Sequence, residues 1–494
     1  MADPVVSEQE SFQALKKKSL NSIGTLICRQ FVTKIIYLVA NIVLARMLAP
    51  QVFGVFAIVS FVVQFFSVFG DVGIGAALIQ KKDELSREEL STIFWLQQLL
   101  VWIVAAIAIA AAPLALKFYP TLPPVGVWLI RAMAFGFILS SLKTVPAILM
   151  ERNIDFNRIA LIDVTESLSF HGAAIAFALA GYDVWSFVWA AVIRSVLGVA
   201  VVYSISSWRP GFYFNFDSIR GLLGFGLPYQ GNNILAFFKD TVTPVFVGSY
   251  SGAAAVGYVN WARNFAFAPL MISEVFGKVA FPSFSRIQTD RELLARTIER
   301  SIRMMTTVLF PVSALMIALG PQLIHVLFTD KWLPAIRAYY FYCTSPLVIG
   351  FMLPMHSALL SLGRSLLLFR VMLLLIVFEW GFGSLFVVLY GYNGIAFNQP
   401  IIALIFTLLY KKALRSDGVA VLVIRNIRCQ ALAAFLSGLI AWYIINQLAA
   451  SIVNIFLVAT IGITIYILGL LVINKRTISE FIEYILQVLS VKQA

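Results

Sequence analysis

Charge is scarce in this sequence. Only 12% of its 494 residues are Asp, Glu, Lys or Arg, about half the share of a soluble domain. Histidine and cysteine number three each. His171, His325 and His356 lie in separate apolar segments with no HExxH-like spacing, so no metal site is expected. Cys28, Cys343 and Cys429 are isolated, with no CxxC pair, which excludes a disulfide framework and reads as packed thiols. No GxxxxGK(S/T) loop exists, so ATP hydrolysis by a P-loop is excluded. Gly70, Gly73 and Gly75 sit inside an apolar run and read as close helix packing rather than a nucleotide loop. The loops on the non-basic side are short, the longest near 117–125, and leave no room for an acceptor-binding domain. Their brevity argues against an enzyme, and no catalytic residues or cofactors are expected.

What is abundant is apolar length. Hydrophobic residues make up 60% of the chain and mean hydropathy is +0.89. Runs long enough to cross a bilayer recur throughout. About fourteen spans are expected, on the length rule for a helix crossing a bilayer. They fall at 20–47, 51–79, 91–117, 124–149, 159–180, 183–205, 218–249, 254–282, 302–328, 334–360, 363–390, 393–411, 426–447 and 452–474. The fold class is therefore an all-α polytopic membrane protein. Residues 1–19 are polar and the first apolar run is long and carries two charges, so no cleavable signal peptide is expected.

The net charge of +13 is scattered through short loops, which excludes a nucleic-acid footprint. It is also one-sided. Lys81, Arg87, Arg152, Arg209, Arg300, Arg364, Lys411 and Arg428 belong to one set of loops, and the opposite set holds little beyond Lys117 and Lys331. The positive-inside rule then places both termini in the cytoplasm.

A weak repeat underlies the spans. Val52-Phe53-Gly54 matches Ala255-Val256-Gly257, and Phe69-Gly70-Asp71-Val72 matches Phe276-Gly277-Lys278-Val279, at offsets of 203 and 207. Such an offset covers an even number of spans, so the copies run parallel, as in a two-lobed carrier with a central path. The expected organisation is a cytoplasmic segment at 1–19, a six-helix N-lobe at 20–205 and a linker at 206–217. A six-helix C-lobe at 218–411 follows, then two further helices within 412–474 and a cytoplasmic amphipathic tail at 475–494. Thr477 and Glu480 read as a capping box opening that tail. The seventh span is irregular, with Pro228, Gly231 and Pro244 inside it.

Charges within spans are costly and mark function by default. Those near span middles favour cations: Arg29, Lys34, Arg194, Lys239 and Arg263 outnumber Glu166, Asp240 and Glu379. Arg and Lys in a wet interior suit phosphate oxygens, as fork and point charge respectively. The candidate substrate-binding residues are Arg29, Lys34, Asn233, Lys239, Arg263 and Arg194, forming a cationic cavity for an anionic cargo. Asp71, Glu166, Asp240 and Glu379 are candidates for H+ or Na+ coupling. Pairing between helices is the structural alternative for every one of them. Arg29 and Lys34 stand about 140° apart around their helix, so one of them can be a helix-to-helix tie.

Several motifs resemble a known family. Leu44-Ala45-Arg46-Met47-Leu48-Ala49-Pro50-Gln51-Val52-Phe53-Gly54 and Asp71-Val72-Gly73-Ile74-Gly75-Ala76-Ala77-Leu78-Ile79-Gln80 resemble the opening of Wzx-type polysaccharide exporters. Phe281-Pro282-Ser283-Phe284-Ser285-Arg286 is similar to their FPxxSR stretch, and Gly320-Pro321 with Asp330-Lys331-Trp332-Leu333-Pro334-Ala335 resembles their turn between spans nine and ten. The resemblance is strongest to the colanic-acid and teichuronic-acid exporter branch. It implies the multidrug/oligosaccharidyl-lipid/polysaccharide (MOP) superfamily, with two lobes alternating access. The implied cargo is an undecaprenyl-pyrophosphate-linked glycan flipped across the bacterial inner membrane for exopolysaccharide, O-antigen or capsule. Implied partners are membrane lipids and the polysaccharide polymerase and assembly proteins. Lipid II flippases of the superfamily have fourteen spans, so lipid II is an alternative cargo. A cation-coupled multidrug exporter is another alternative, and it would have an acidic cavity.

Overall fold

The computed structural model describes residues 29–481, apart from Val72, Lys82, Glu84, Asp240 and Arg476. The expected segment at 1–19 and the tail beyond Phe481 lie outside the described residues. Those described are helical and connected by short turns, with no strand among them. They divide into two compact units, one ending at Gly257 and one beginning at Tyr258.

The first unit contains α1 (Arg29–Met47), α2 (Pro50–Ser67), α3 (Ile74–Gln80), α4 (Arg87–Phe118), α5 (Gly126–Ser141), α6 (Thr144–Arg152), α7 (Phe156–Leu179) and α8 (Trp185–Ile205). Next come α9 (Arg220–Lys239) and a π turn (Thr243–Val247) running into the short α10 (Gly248–Tyr250), and α11 (Ala253–Ala266) begins here. Pro50 opens α2 at a position where its missing N–H is not needed. Ser86 and Glu89 form a reciprocal capping box at the start of α4. Helix α5 packs on α4 and α8, α8 packs on α7, and α2 lies against α4 and α5. In the second unit are α12 (Met271–Ile287), α13 (Arg291–Leu323), α14 (Ile336–Ser361), α15 (Ser365–Tyr390), α16 (Asn393–Ser416), α17 (Val423–Gln447) and α18 (Ile452–Ile473). There α13 packs on α14, α17 and α18, and α14 packs on α16.

Each of the fourteen expected segments carries helix, yet the described residues hold eleven helices long and apolar enough to span, or up to twelve if the bent pair α5–α6 is one span. The count of fourteen is therefore not reproduced. The shortfall falls on the seventh and eighth segments. Lys239 ends α9 and the chain resumes as a π turn, while Pro269 lies in a 3-10 turn that separates α11 from α12. Charge and proline shorten the uninterrupted apolar helix at both places. Pro228 itself lies inside α9 without ending it.

The seventh segment, read in sequence as the start of the second lobe, packs within the N-terminal unit. α9 lies on α3, Phe237 stacks on Phe61 with ring centroids 6.0 Å apart, and Gln230 Nε2 donates to the Val68 carbonyl at 2.7 Å. The expected capping box at the tail does not form. Thr477 sits inside a helical turn with its hydroxyl unpartnered, and Glu480 turns away to accept from Arg303.

Two repeat-related glycines meet in this unit. A Cβ on Gly54 would strike the carbonyl of Ala253, and one on Gly257 would strike the carbonyl of Pro50. The residue pairs 50/253 and 54/257 share the single offset of 203, so the two copies exchange equivalent contacts. Backbone approach this close requires a residue without Cβ. Gly257→Ala is expected to destabilise the purified protein by about 1–3 kcal/mol. Gly172→Ala, where a Cβ meets nothing within 4 Å, should leave the unfolding midpoint unchanged.

Candidate functional site

The N-terminal unit concentrates charge at one elbow. Helices α5 and α6 meet at a 43° bend, and Lys143 occupies the turn as the residue before α6. Its Nζ donates to Oε1 of Glu166 on α7. Oε2 of the same carboxylate accepts from Arg194 Nε of α8 at 3.2 Å. One turn earlier on α7, Asp163 accepts from Arg29 Nη1 of α1 at 2.6 Å. Four helices are thus tied through Asp163 and Glu166, which share a face at i, i+3 spacing.

Glu166 lies about 15 Å along α7 from Phe156, close to mid-helix. Its side chain is 7% exposed, against 54% for Arg194. Room for the carboxylate comes from Gly198 on α8, where a Cβ would collide with Oε1 of Glu166. The elbow is secured on both sides. Tyr203 donates to the Leu142 carbonyl at 2.8 Å, Ser140 and Ser195 hydroxyls meet at 2.8 Å, and Ser141 donates to Gln98 at 3.0 Å.

This cluster gathers three of the residues expected from sequence, Arg29, Arg194 and Glu166. Two members were missed, Lys143 and Asp163. Asp163 was legible as the acid three residues before Glu166 on one helix. Lys143 was not, because only folding brings the elbow to α7. Lys34 is exposed on α1 and has no ion pair among the described residues. Asn233 donates to Gln230 at 3.2 Å, and Lys239 closes α9. Asp71 is exposed, and its carboxylate accepts from the Gly73 N–H at 2.9 Å, in a local turn. Asp240 lies outside the described residues. In the C-terminal unit, Arg263 stands over the Phe267 ring at 5.8 Å. Glu379, 8% exposed, accepts from Gln399 Nε2 at 2.6 Å. Among the described residues no group of His, Cys, Asp and Glu is arranged to hold a metal.

The sequence profile of a family described as "Polysaccharide biosynthesis protein" matches residues 43–337, more than half of the chain. The chain belongs to this family. The family-like motifs quoted above all fall inside that stretch, as does the cluster at 143–198. Similar curated proteins include the succinoglycan biosynthesis transport protein ExoT of Rhizobium meliloti (strain 1021), 29% identical over 59% of this chain and 58% of its own length. The teichuronic acid biosynthesis protein TuaB of Bacillus subtilis (strain 168) is 25% identical over 60% and 62%. The lipopolysaccharide biosynthesis protein WzxC of Escherichia coli (strain K12) is 24% identical over 66% of each. The chain therefore aligns with less than two thirds of the length of each of these relatives. In fold it is similar to the lipid II flippase MurJ in an inward closed conformation, with a TM-score of 0.74 and 15% identity over 91% of this chain and 99% of that one. An inward-facing multidrug resistance MATE family transporter of the MOP superfamily gives 0.58 at 15% identity, covering 80% and 99%. The polysaccharide biosynthesis family member described here is thus a polytopic helical membrane protein with a MurJ- and MATE-like fold.

Removing one charge strands its partners. Glu166→Gln should destabilise the folded protein toward the lower end of the roughly 3–5 kcal/mol typical of breaking a buried pair, since Arg194 is solvated. In a double-mutant cycle by denaturant titration, adding Lys143→Met to Glu166→Gln should recover at least about 1 kcal/mol. Gly198→Ala should mimic Glu166→Gln in part.

Proposed function

We propose that this protein flips an undecaprenyl-pyrophosphate-linked oligosaccharide from the inner to the outer leaflet of the bacterial cytoplasmic membrane, by alternating access coupled to H+ or Na+. The observation that carries the reading is a charge cluster with surplus cation inside an apolar helix unit. Among the described residues Arg29, Lys143 and Arg194 pair with Asp163 and Glu166, and Lys34 adds a further exposed cation on α1. Pyrophosphate cannot enter hydrocarbon bare, and guanidinium and ammonium groups replace its hydration. A drug exporter for cationic cargo calls for the opposite balance. The names of the curated relatives, all in polysaccharide biosynthesis, support the same cargo class.

The tail needs a different environment. In the C-terminal unit an apolar recess of about 540 Å³ opens between α13, α14 and α17, lined by residues such as Phe310, Ala314, Leu347, Gly438 and Trp442. A polyprenyl chain suits such a surface. Coupling falls to a carboxylate among Asp71, Glu166, Asp240 and Glu379, with Asp163 added by its place in the cluster. Lipid II is the second reading, favoured by the similarity of fold to a lipid II flippase over nearly the whole chain.

The test is complementation of a flippase-null strain with Arg29, Lys34, Lys239 and Arg263 each changed to Ala, at matched protein level. Lys34→Ala is expected to reduce polymer export at least tenfold without loss of thermal stability. Arg29→Ala should lose both, and Asp163→Asn should restore its stability. Full export by all four variants would overturn the cationic-path mechanism. Rescue of a lipid II flippase-depleted strain instead would decide for the second reading.

A further inference from the structure

A polar recess of about 770 Å³ lies in the C-terminal unit, where the start of α13, the start of α17 and the segment after α18 converge. Two of its three sides are arginine-rich. Arg296, Arg300 and Arg303 come from α13, and Arg425 and Arg428 from the first two turns of α17. Two carboxylates line it, Glu299 and Glu480, and both are engaged. Glu480 accepts from Arg303 at 2.9 Å, and Glu299 accepts from the Leu422 N–H at 2.8 Å. Arg296 has an exposed partner, Glu292, at 3.6 Å. Among the described residues, Arg300, Arg425 and Arg428 have no ion-pair partner.

Two buried donors point to an absent acceptor. Thr477 is 3% exposed and lines the recess, yet its Oγ1 has no hydrogen-bond partner, and neither has the buried Nε of Arg300. A buried hydroxyl without a partner is costly, so such groups are retained where something satisfies them. The first turn of α17 carries no acidic residue, so the positive end of that helix dipole is also uncompensated from within its own sequence. The ligand must therefore be anionic and offer several acceptor oxygens.

We propose that this recess is a phosphate-binding site, taking a phosphate ester or pyrophosphate group. Arg300 and Arg428 act as forks, Thr477 donates its hydroxyl, and Arg303 with Glu480 and Asn426 holds the tail segment against α13 and α17 as one wall. The phosphate can arrive as an anionic lipid headgroup, since the positive-inside distribution puts these loops at the cytoplasmic leaflet, or as a free phosphate compound. The site is built only from residues of the C-terminal unit and does not depend on the transport reading.

The experiment uses the full chain in nanodiscs and needs no transport. In one arm, phosphatidylcholine discs are titrated with inorganic pyrophosphate by calorimetry. In the other, discs containing phosphatidylglycerol are analysed by native mass spectrometry for retained lipid. Wild type should bind in at least one arm, and which arm responds identifies the source. Arg300→Gln/Arg428→Gln should weaken that binding at least tenfold, Thr477→Val about threefold, and the charge control Arg415→Gln not at all. All variants should keep the wild-type melting midpoint. Absence of binding in both arms, or equal binding by wild type and the double variant, overturns the proposal.

Discussion

A charge within an apolar helix must be met by another charge or by water, and the N-terminal unit is arranged around that requirement. Glu166 is nearly enclosed, and its two oxygens take Lys143 from the α5–α6 elbow and Arg194 from α8. One turn away Asp163 takes Arg29. Desolvating Glu166 alone would be costly. Paired in this way, the two carboxylates convert four helices into one electrostatically joined body, with Gly198 supplying the space. The same arrangement leaves more cation than anion in the cluster.

Backbone proximity is the second determinant. At Gly54 and Gly257 two helix starts meet with no side chain between them, each over the carbonyl four residues before the other glycine. Both glycines belong to one of the two stretches in which the repeat is legible in sequence. Large apolar side chains gain little by associating in lipid, whereas close backbone packing gains dispersion energy that lipid cannot match. At Gly54 and Gly257 the repeat coincides with packing that leaves no room for a side chain.

The C-terminal unit shows a local signal overridden by tertiary contact. Thr477 and Glu480 have the spacing of a capping box, as Ser86 and Glu89 do. Ser86 and Glu89 cap α4 because Glu89 can reach back to the start of its own helix. Glu480 instead finds a partly buried guanidinium, Arg303, and a charge-assisted bond outweighs a neutral cap. Glu89 also accepts from Lys81, but on its other oxygen, so the cap at the start of α4 survives its ion pair.

Helix positions, membrane embedding and family were legible in the residues, because apolar length and the order of the Gly- and Pro-bearing motifs are properties of the chain alone. The mid-span charges Arg29, Arg194 and Glu166 were legible for the same reason. What the sequence left open was their pairing: that Arg29 ties α1 to Asp163 while Lys34 stays exposed, and that Lys143 joins the cluster; the contact of α9 with α3 ran against the expected assignment of that segment to the second lobe. Those outcomes depend on which helices become neighbours across more than a hundred residues. Hydropathy measures the tendency of each segment to leave water, and it carries no information about which segment lies beside it. Contact between side chains on separate helices decides that, and only the folded chain has it.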